Sequence, residues 1–135
     1  MENSAPTRVL VIDDDTSMTE MLKLLLEPND FTVFEANSGQ EGIKATRRFN
    51  PEVVILDLQM QGVDGWNVCR EIRSFSDVPI LVLSAISKPG IVAQALDEGA
   101  DDYLLKPMPS SVLIAHLKKL TRRAKAEKNG NKSTF

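Results

Sequence analysis

Three apolar runs in this sequence end in groups that could act together. Val9-Leu10-Val11-Ile12 runs into Asp13-Asp14-Asp15, Val53-Val54-Ile55-Leu56 runs into Asp57, and Tyr103-Leu104-Leu105 runs into Lys106-Pro107. If the runs are neighbouring parallel strands pointing the same way, their carboxylates and the ammonium meet at one sheet edge, where departing loops leave the backbone open to ligands. Carboxylates gathered there repel one another and call for a cation. Such a site would bind a divalent metal through oxygen ligands, and a lysine beside it could neutralise an incoming phosphoryl group.

The elements that must position these groups alternate along the chain. Thr7 to Ile12, Thr32 to Ala36, Val53 to Asp57, Ile80 to Ser84 and Asp102 to Leu105 read as five short strands. Several are continuous apolar runs, as expected of parallel strands covered on both faces. Helical patterns lie between them. Met18, Met21, Leu22, Leu25 and Leu26 mark one inward face, and Ser38-Gly39-Gln40-Glu41 has the form of a capping box opening a second helix. Residues 65–75, 90–98 and 110–125 supply three more, the last with Leu113, Leu117 and Leu120 inward. Asp15 or Thr16 should cap the first helix. Five βα units on short connections imply an α/β fold with a doubly wound parallel sheet and right-handed crossovers. The expected organisation is an N-terminal extension over residues 1–6, a globular domain over 7–124, and a basic polar tail or linker start over 125–135.

Composition supports a single folded unit. A chain of 135 residues with 42% hydrophobic content can bury a proper core. Its net charge of -3 is uneven: from Arg122 onward five Lys or Arg face one acid, leaving 11 basic against 18 acidic groups before it, a net -7. Such a body offers no surface for direct nucleic-acid binding, and its acids are free to hold metal. One cysteine cannot form an internal disulfide, and no apolar stretch approaches the ~20 residues a membrane span needs. With no signal-like start, cytoplasmic residence is expected.

Taken together the motifs resemble a known family. Val9 to Asp15, Asp57-Leu58-Gln59-Met60 with Gly62 and Asp64-Gly65, Ser84-Ala85, and Gly99-Ala100-Asp101-Asp102-Tyr103-Leu104-Leu105-Lys106-Pro107 occur in an order and spacing similar to the receiver domain of two-component response regulators. The pattern is nearest to receivers attached to winged-helix output domains, and it covers residues 7 to 123. The resemblance implies a flavodoxin-like sheet of strand order 2-1-3-4-5 with five helices. It implies that Asp57 accepts a phosphoryl group from a sensor histidine kinase or phosphotransfer protein. Asp13, Asp14, Asp57 and the backbone carbonyl of Gln59 would hold Mg2+, or Mn2+ in its stead. Lys106 and the Ser84 hydroxyl would meet phosphoryl oxygens, and Tyr103 would turn inward as Ser84 moves. The chain is then a switch whose only catalysis is its own phosphorylation and dephosphorylation. Its altered surface would lie on the fourth helix, fifth strand and fifth helix, where a homodimer could also form. A cis bond before Pro107 fits the same resemblance.

Some positions depart from that pattern. Gln61 stands where a proline is usual, which implies a less rigid loop after Asp57, and Met108 replaces an aromatic. Val92 and Val112 occupy positions where relatives pair helices through opposite charges, and His116 stands in place of an arginine. Arg122 or Arg123 opposite Asp101 or Asp102 would supply a polar rim to any such dimer. His116, Cys69 and Trp66 otherwise read as boundary or packing residues. Two other readings use the same residues. Asp13-Asp14-Asp15-Thr16-Ser17 is similar to the first motif of haloacid dehalogenase-type phosphatases, with Asp13 as nucleophile and Asp15 as general acid, although Asp57 then has no task. Alternatively the chain is the regulatory half of a DNA-binding transcription regulator, with the downstream effector not readable from these residues.

Overall fold

In a computed structural model, which describes residues 5–61 and 63–132, five strands alternate with five helices. They are β1 (Thr7–Ile12), α1 (Thr16–Leu26), β2 (Phe31–Ala36), α2 (Gly39–Phe49), β3 (Val53–Leu56), α3 (Gly65–Arg73), β4 (Ile80–Ser84), α4 (Pro89–Asp97), β5 (Asp102–Leu105) and α5 (Ser110–Lys132). Gly62 of the motif, residues 1–4 of the extension and 133–135 of the tail lie outside the described residues. The strands form one parallel sheet in the order β2-β1-β3-β4-β5. The reversal of order at β1 and β3 puts a crevice at their C-terminal ends.

Strand alternation explains both layers of core. Leu10, Ile12, Val54, Leu56, Ile80 and Val82 face one side and pack with Val68, Cys69 and Ile72 of α3, Ala45 of α2 and Ala95 of α4. Val9, Val11, Val53, Ile55, Leu81 and Leu83 face the other and pack with Leu22 and Leu26 of α1 and Leu113, Leu117 and Leu120 of α5. Each fully buried Val, Leu or Ile contributes about 1.5–3 kcal/mol, so the double-sided runs carry most of the drive to fold. On α4, Ala95 is the buried residue. The half-buried Ile91 packs against the same core beside it.

Side chains set the helix starts. Asp15 caps α1 by accepting from the Ser17 N–H, and Asp64 caps α3 by accepting from that of Trp66. Ser38 accepts from the Glu41 N–H as the capping box requires, but the Glu41 carboxylate reaches the Asn37 N–H rather than that of Ser38. The box is therefore displaced by one residue on its return half. Two other readings need correction. Met21 is 52% exposed, because it lies at the rim of the face that buries Leu22 and Leu26. Beyond Lys125, where a polar tail was expected, α5 continues to Lys132, drawing on the good helix formers Ala, Lys and Glu.

Candidate functional site

Register brings the three strand ends together. Ile12 lies beside Leu56 and Ser84 beside Leu105, so Asp13, Asp57 and Lys106, each the residue after its strand, project from one edge. The Lys106 Nζ stands 3.4 Å from the Asp13 Oδ2 and 3.5 Å from the Asp57 Oδ2, and the Lys106–Pro107 bond is cis. Asp13 and Asp57 are both buried, whereas the Asp14 side chain is half-buried at the rim. The second oxygen of each buried carboxylate is spent locally: the Asp13 Oδ1 accepts from the Asp15 N–H and the Asp57 Oδ1 from the Gln59 N–H. These bonds fix the carboxylate planes and leave both Oδ2 atoms turned toward the ammonium.

The electrostatics are those of a site short of positive charge. Burial pushes the Asp13 carboxyl above its ordinary value of 3.8, and the Asp57 charge adds to this, while the Asp15 N–H and Lys106 act in the opposite direction. A raised carboxyl is one the fold would sooner keep protonated. Its ionisation, as pH rises through the ordinary carboxylate range and beyond, therefore costs stability.

The loop after Asp57 closes the site from α3. Gln59–Met60 pairs antiparallel with Val63–Asp64 in a two-residue ladder. A Cβ on Gly65 would stand 2.6 Å from the Leu58 Cα, so only glycine allows the loop to fold back this tightly. At the far side, the fully buried Ser84 Oγ accepts from the Ile86 N–H at 3.2 Å. The Tyr103 hydroxyl donates to the Ile86 carbonyl at 2.7 Å. Ser84 and Tyr103 thus share one loop residue, and any movement of that loop is felt by both.

Other contributors carry no motif. The Asn37 amide donates to the Asp13 carbonyl at 2.9 Å and to the Thr19 hydroxyl at 3.2 Å, fastening the β2 end to the site. Its signal in the sequence was only its position after a fourth strand end. The Gln61 N–H donates to the Asp14 Oδ2 at 2.8 Å, across 47 residues of sequence. Within the chain, both aspartates named for the polar rim of a dimer already have partners. Asp101 pairs with Arg73 at 2.6 Å and Asp102 with His116, while Arg122 and Arg123 are exposed. Alternation along β5 turns Asp102 to the α5 side, where His116 meets it first.

The family profile described as "Response regulator receiver domain" matches residues 9–118. This chain belongs to the response regulator receiver domain family. Among its relatives, the DNA-binding response regulator MtrA of Mycobacterium tuberculosis is 39% identical over 116 residues, covering 86% of this chain and 51% of MtrA. The transcriptional regulatory protein ResD of Bacillus subtilis is 34% identical over 134 residues, covering 99% of this chain and 56% of ResD. The chain thus spans about half the length of the curated relatives it matches. A solved two-component response regulator from Clostridium difficile superposes with a TM-score of 0.84 at 30% identity, covering 87% of this chain and 98% of that one.

The donor set of this receiver fits a hard divalent cation. Asp13, Asp14 and Asp57 offer oxygen alone, and Mg2+ prefers oxygen ligands while keeping several waters. Among the described residues no three such side chains already converge as a ready-made cage. The Asp14 Oδ2 accepts from the Gln61 N–H. The receiver leaves little room for the phosphatase reading, since the Asp15 carboxylate is exposed and occupied as the α1 cap. No described helix is long and apolar enough to cross a membrane.

Proposed function

We propose that this receiver is a phosphorylation-dependent switch in which Asp57 accepts the phosphoryl group. The observation that carries the reading is the Lys106 ammonium held between Asp13 and Asp57 at a buried sheet edge. The Asp57 Oδ2 attacks phosphorus, the bond from phosphorus to the donor's leaving atom breaks, and an acyl phosphate forms. When bound at Asp13, Asp14, Asp57 and the Gln59 carbonyl, Mg2+ or Mn2+ would offset the crowded negative charge and draw phosphate oxygens in. Lys106 neutralises one phosphoryl oxygen and the Ser84 hydroxyl donates to another. Moving Ser84 disturbs the Ile86 loop, which Tyr103 follows, and α4 shifts with it.

The donor on this reading is a sensor histidine kinase or a phosphotransfer protein. An apolar groove of about 300 Å³, lined by Met18, Met21, Leu25, Met108 and Leu113 among others, shares Lys106 with the site and supports docking of a helical donor there. The output on the relatives' pattern is a DNA-binding half, which makes this chain the regulatory part of a cytoplasmic transcription regulator. Acetyl phosphate with Mg2+, followed by reduction of the acyl phosphate and peptide mapping, tests the assignment. Label on Asp57 is the expected result; label on Asp13 would favour the phosphatase chemistry and overturn it.

A homodimer over α4, β5 and α5 belongs to the same proposal. Leu96, Leu105 and Val112 are exposed there and Val92 is half-buried. Apolar contact should give an association that is weak but little affected by salt, unlike one resting on exposed ion pairs. Sedimentation of the beryllofluoride form at low and high salt checks this. A dimer that dissolves in salt would refute the apolar interface.

A further inference from the structure

Past the end of β1 a side chain takes over from the backbone ladder. The Asp13 N–H donates to the Ala36 carbonyl at 3.0 Å, the last backbone bond between the ends of β1 and β2. Beyond it, the Asn37 amide donates to the Asp13 carbonyl at 2.9 Å and to the Thr19 hydroxyl at 3.2 Å. Two acceptors occupy both hydrogens of the amide. Thr19 is buried and its own hydroxyl donates to the Thr16 carbonyl at 3.1 Å, so α1 fixes the far side of the amide. The carbonyl that Asn37 holds belongs to the peptide unit joining Asp13 to Asp14. The tilt of that planar unit is set by ψ of Asp13 and φ of Asp14, the same dihedrals that direct the two side chains relative to each other. The Asp13 Oδ1, accepting from the Asp15 N–H, closes a turn around this peptide from within the loop, and Asn37 holds it from β2.

We propose that Asn37 is a positioning residue for the divalent cation, setting the geometry of the Asp13–Asp14 carboxylate pair by holding the Asp13 carbonyl. This rests on the reading of Asp13, Asp14 and Asp57 as the metal ligands. Asn37 touches neither the cation nor the phosphoryl group; it acts through the peptide between two ligands. Mg2+ demands near-ideal octahedral geometry, so a small change in the pair weakens binding more than it weakens the fold. Removing groups that orient metal ligands from behind costs about 10–100-fold in metal affinity elsewhere.

The test is calorimetric titration of Asn37→Ala and Asn37→Asp with Mg2+ alone, beside the unsubstituted protein and with a thermal melt of each. Asn37→Asp keeps the shape, loses both donors and adds a negative charge near the site. Charge alone would tighten Mg2+ binding there, whereas loss of positioning weakens it. Both variants are expected to bind about tenfold more weakly, and affinity unchanged or raised in either would overturn the proposal. Labelling by acetyl phosphate gives a second readout. The Mg2+ needed for half-maximal rate should rise about tenfold while the rate at saturating Mg2+ holds. A lower saturating rate at unchanged half-saturation would mark a general structural defect and overturn it as well. A third measurement needs no variant to fold: in the unsubstituted protein, scalar coupling across the hydrogen bond from the Asn37 amide to the Asp13 carbonyl should persist as Mg2+ saturates. Its loss would show that the contact is not part of the bound form and would refute the role. If the unsubstituted protein takes up Mg2+ and these comparisons fail, the role of Asn37 alone falls. If it takes up no Mg2+, the ligand assignment falls with it.

Discussion

Asp14→Ala is expected to lower both Mg2+ affinity and acetyl-phosphate labelling by at least ~100-fold while leaving the fold intact. The fold should tolerate the change because Asp14 is half-buried, follows β1 outside the strand, and its bond goes to an exposed loop residue. The chemistry should not. Without a cation, Asp13 and Asp57 present two buried carboxylates against one ammonium, and an anionic donor approaching Asp57 meets a net negative site. Removing Asp14 leaves two carboxylates and one carbonyl to hold the ion. The check is intact mass after incubation with donor and Mg2+, beside a calorimetric titration and a thermal melt. Labelling of Asp14→Ala at the normal rate, in particular with chelator in excess, would show that the metal is not needed and would remove the proposed mechanism.

The raised Asp13 carboxyl explains why such a site is held together by its fold and not by its own contacts. Asp13 has only 4% exposure, and burial is the leading cause pushing its proton affinity up. Left to itself it would relax toward solvent. It is prevented by the Asp15 N–H on one side and by the backbone of β1 on the other, whose Ile12 carbonyl accepts from the Asp57 N–H at 3.0 Å. Strand pairing thus extends one residue past β1 and β3 and fixes the two carboxylates in register. The energetic cost falls on the well-packed sheet, which can bear it.

This division explains what could be read from the residues. The five strands and their edge were legible because buried parallel strands are apolar throughout, and the polar residue that ends each run marks the edge. Asp57, Asp13, Lys106 and Ser84 are each first after, or last in, such a run. The helix caps were legible for a similar reason, since Asp15 and Ser38 act on N–H groups two or three residues away. What was not legible depends on distant backbone. The Gln61 N–H carries no side-chain signal, and Asn37 is an ordinary turn residue until β2 is known to lie beside β1. Asp101 and Asp102 were matched by charge alone to arginines across a dimer; their partners within the chain were not legible, and the position of α3 gives Asp101 to Arg73 while alternation along β5 gives Asp102 to His116. The course of α5 beyond Lys125 was misread because Lys, Asn and Gly suggest a linker, yet most residues there are compatible with a helix that has already formed.

Lys106→Ala should separate the chemistry from the switch. Asp57 keeps its nucleophilic Oδ2 in this variant and the metal ligands are untouched, so phosphorylation should persist at a reduced rate. The reduction follows from losing a preorganised positive charge, which in other active sites costs about 10²–10³ in rate. Conformational output should suffer more. The ammonium now bridging Asp13 and Asp57 is the group that would hold a phosphoryl oxygen and fix its orientation toward Ser84. With the phosphoryl group free to rotate, the Ser84 hydroxyl loses a fixed acceptor and has less reason to give up its bond with the Ile86 N–H. Tyr103, bonded to the Ile86 carbonyl, then stays where it is, and α4 receives no push. A ligand shifts a conformational equilibrium only through its differential interaction with the two states, and on the proposed reading Lys106 would supply much of that difference. Amide shifts on α4 and β5 after beryllofluoride addition should therefore be large in the unsubstituted protein and nearly absent in Lys106→Ala. Shifts of full size in the variant would place the trigger in Ser84 and the metal alone and would exclude Lys106 from the switch.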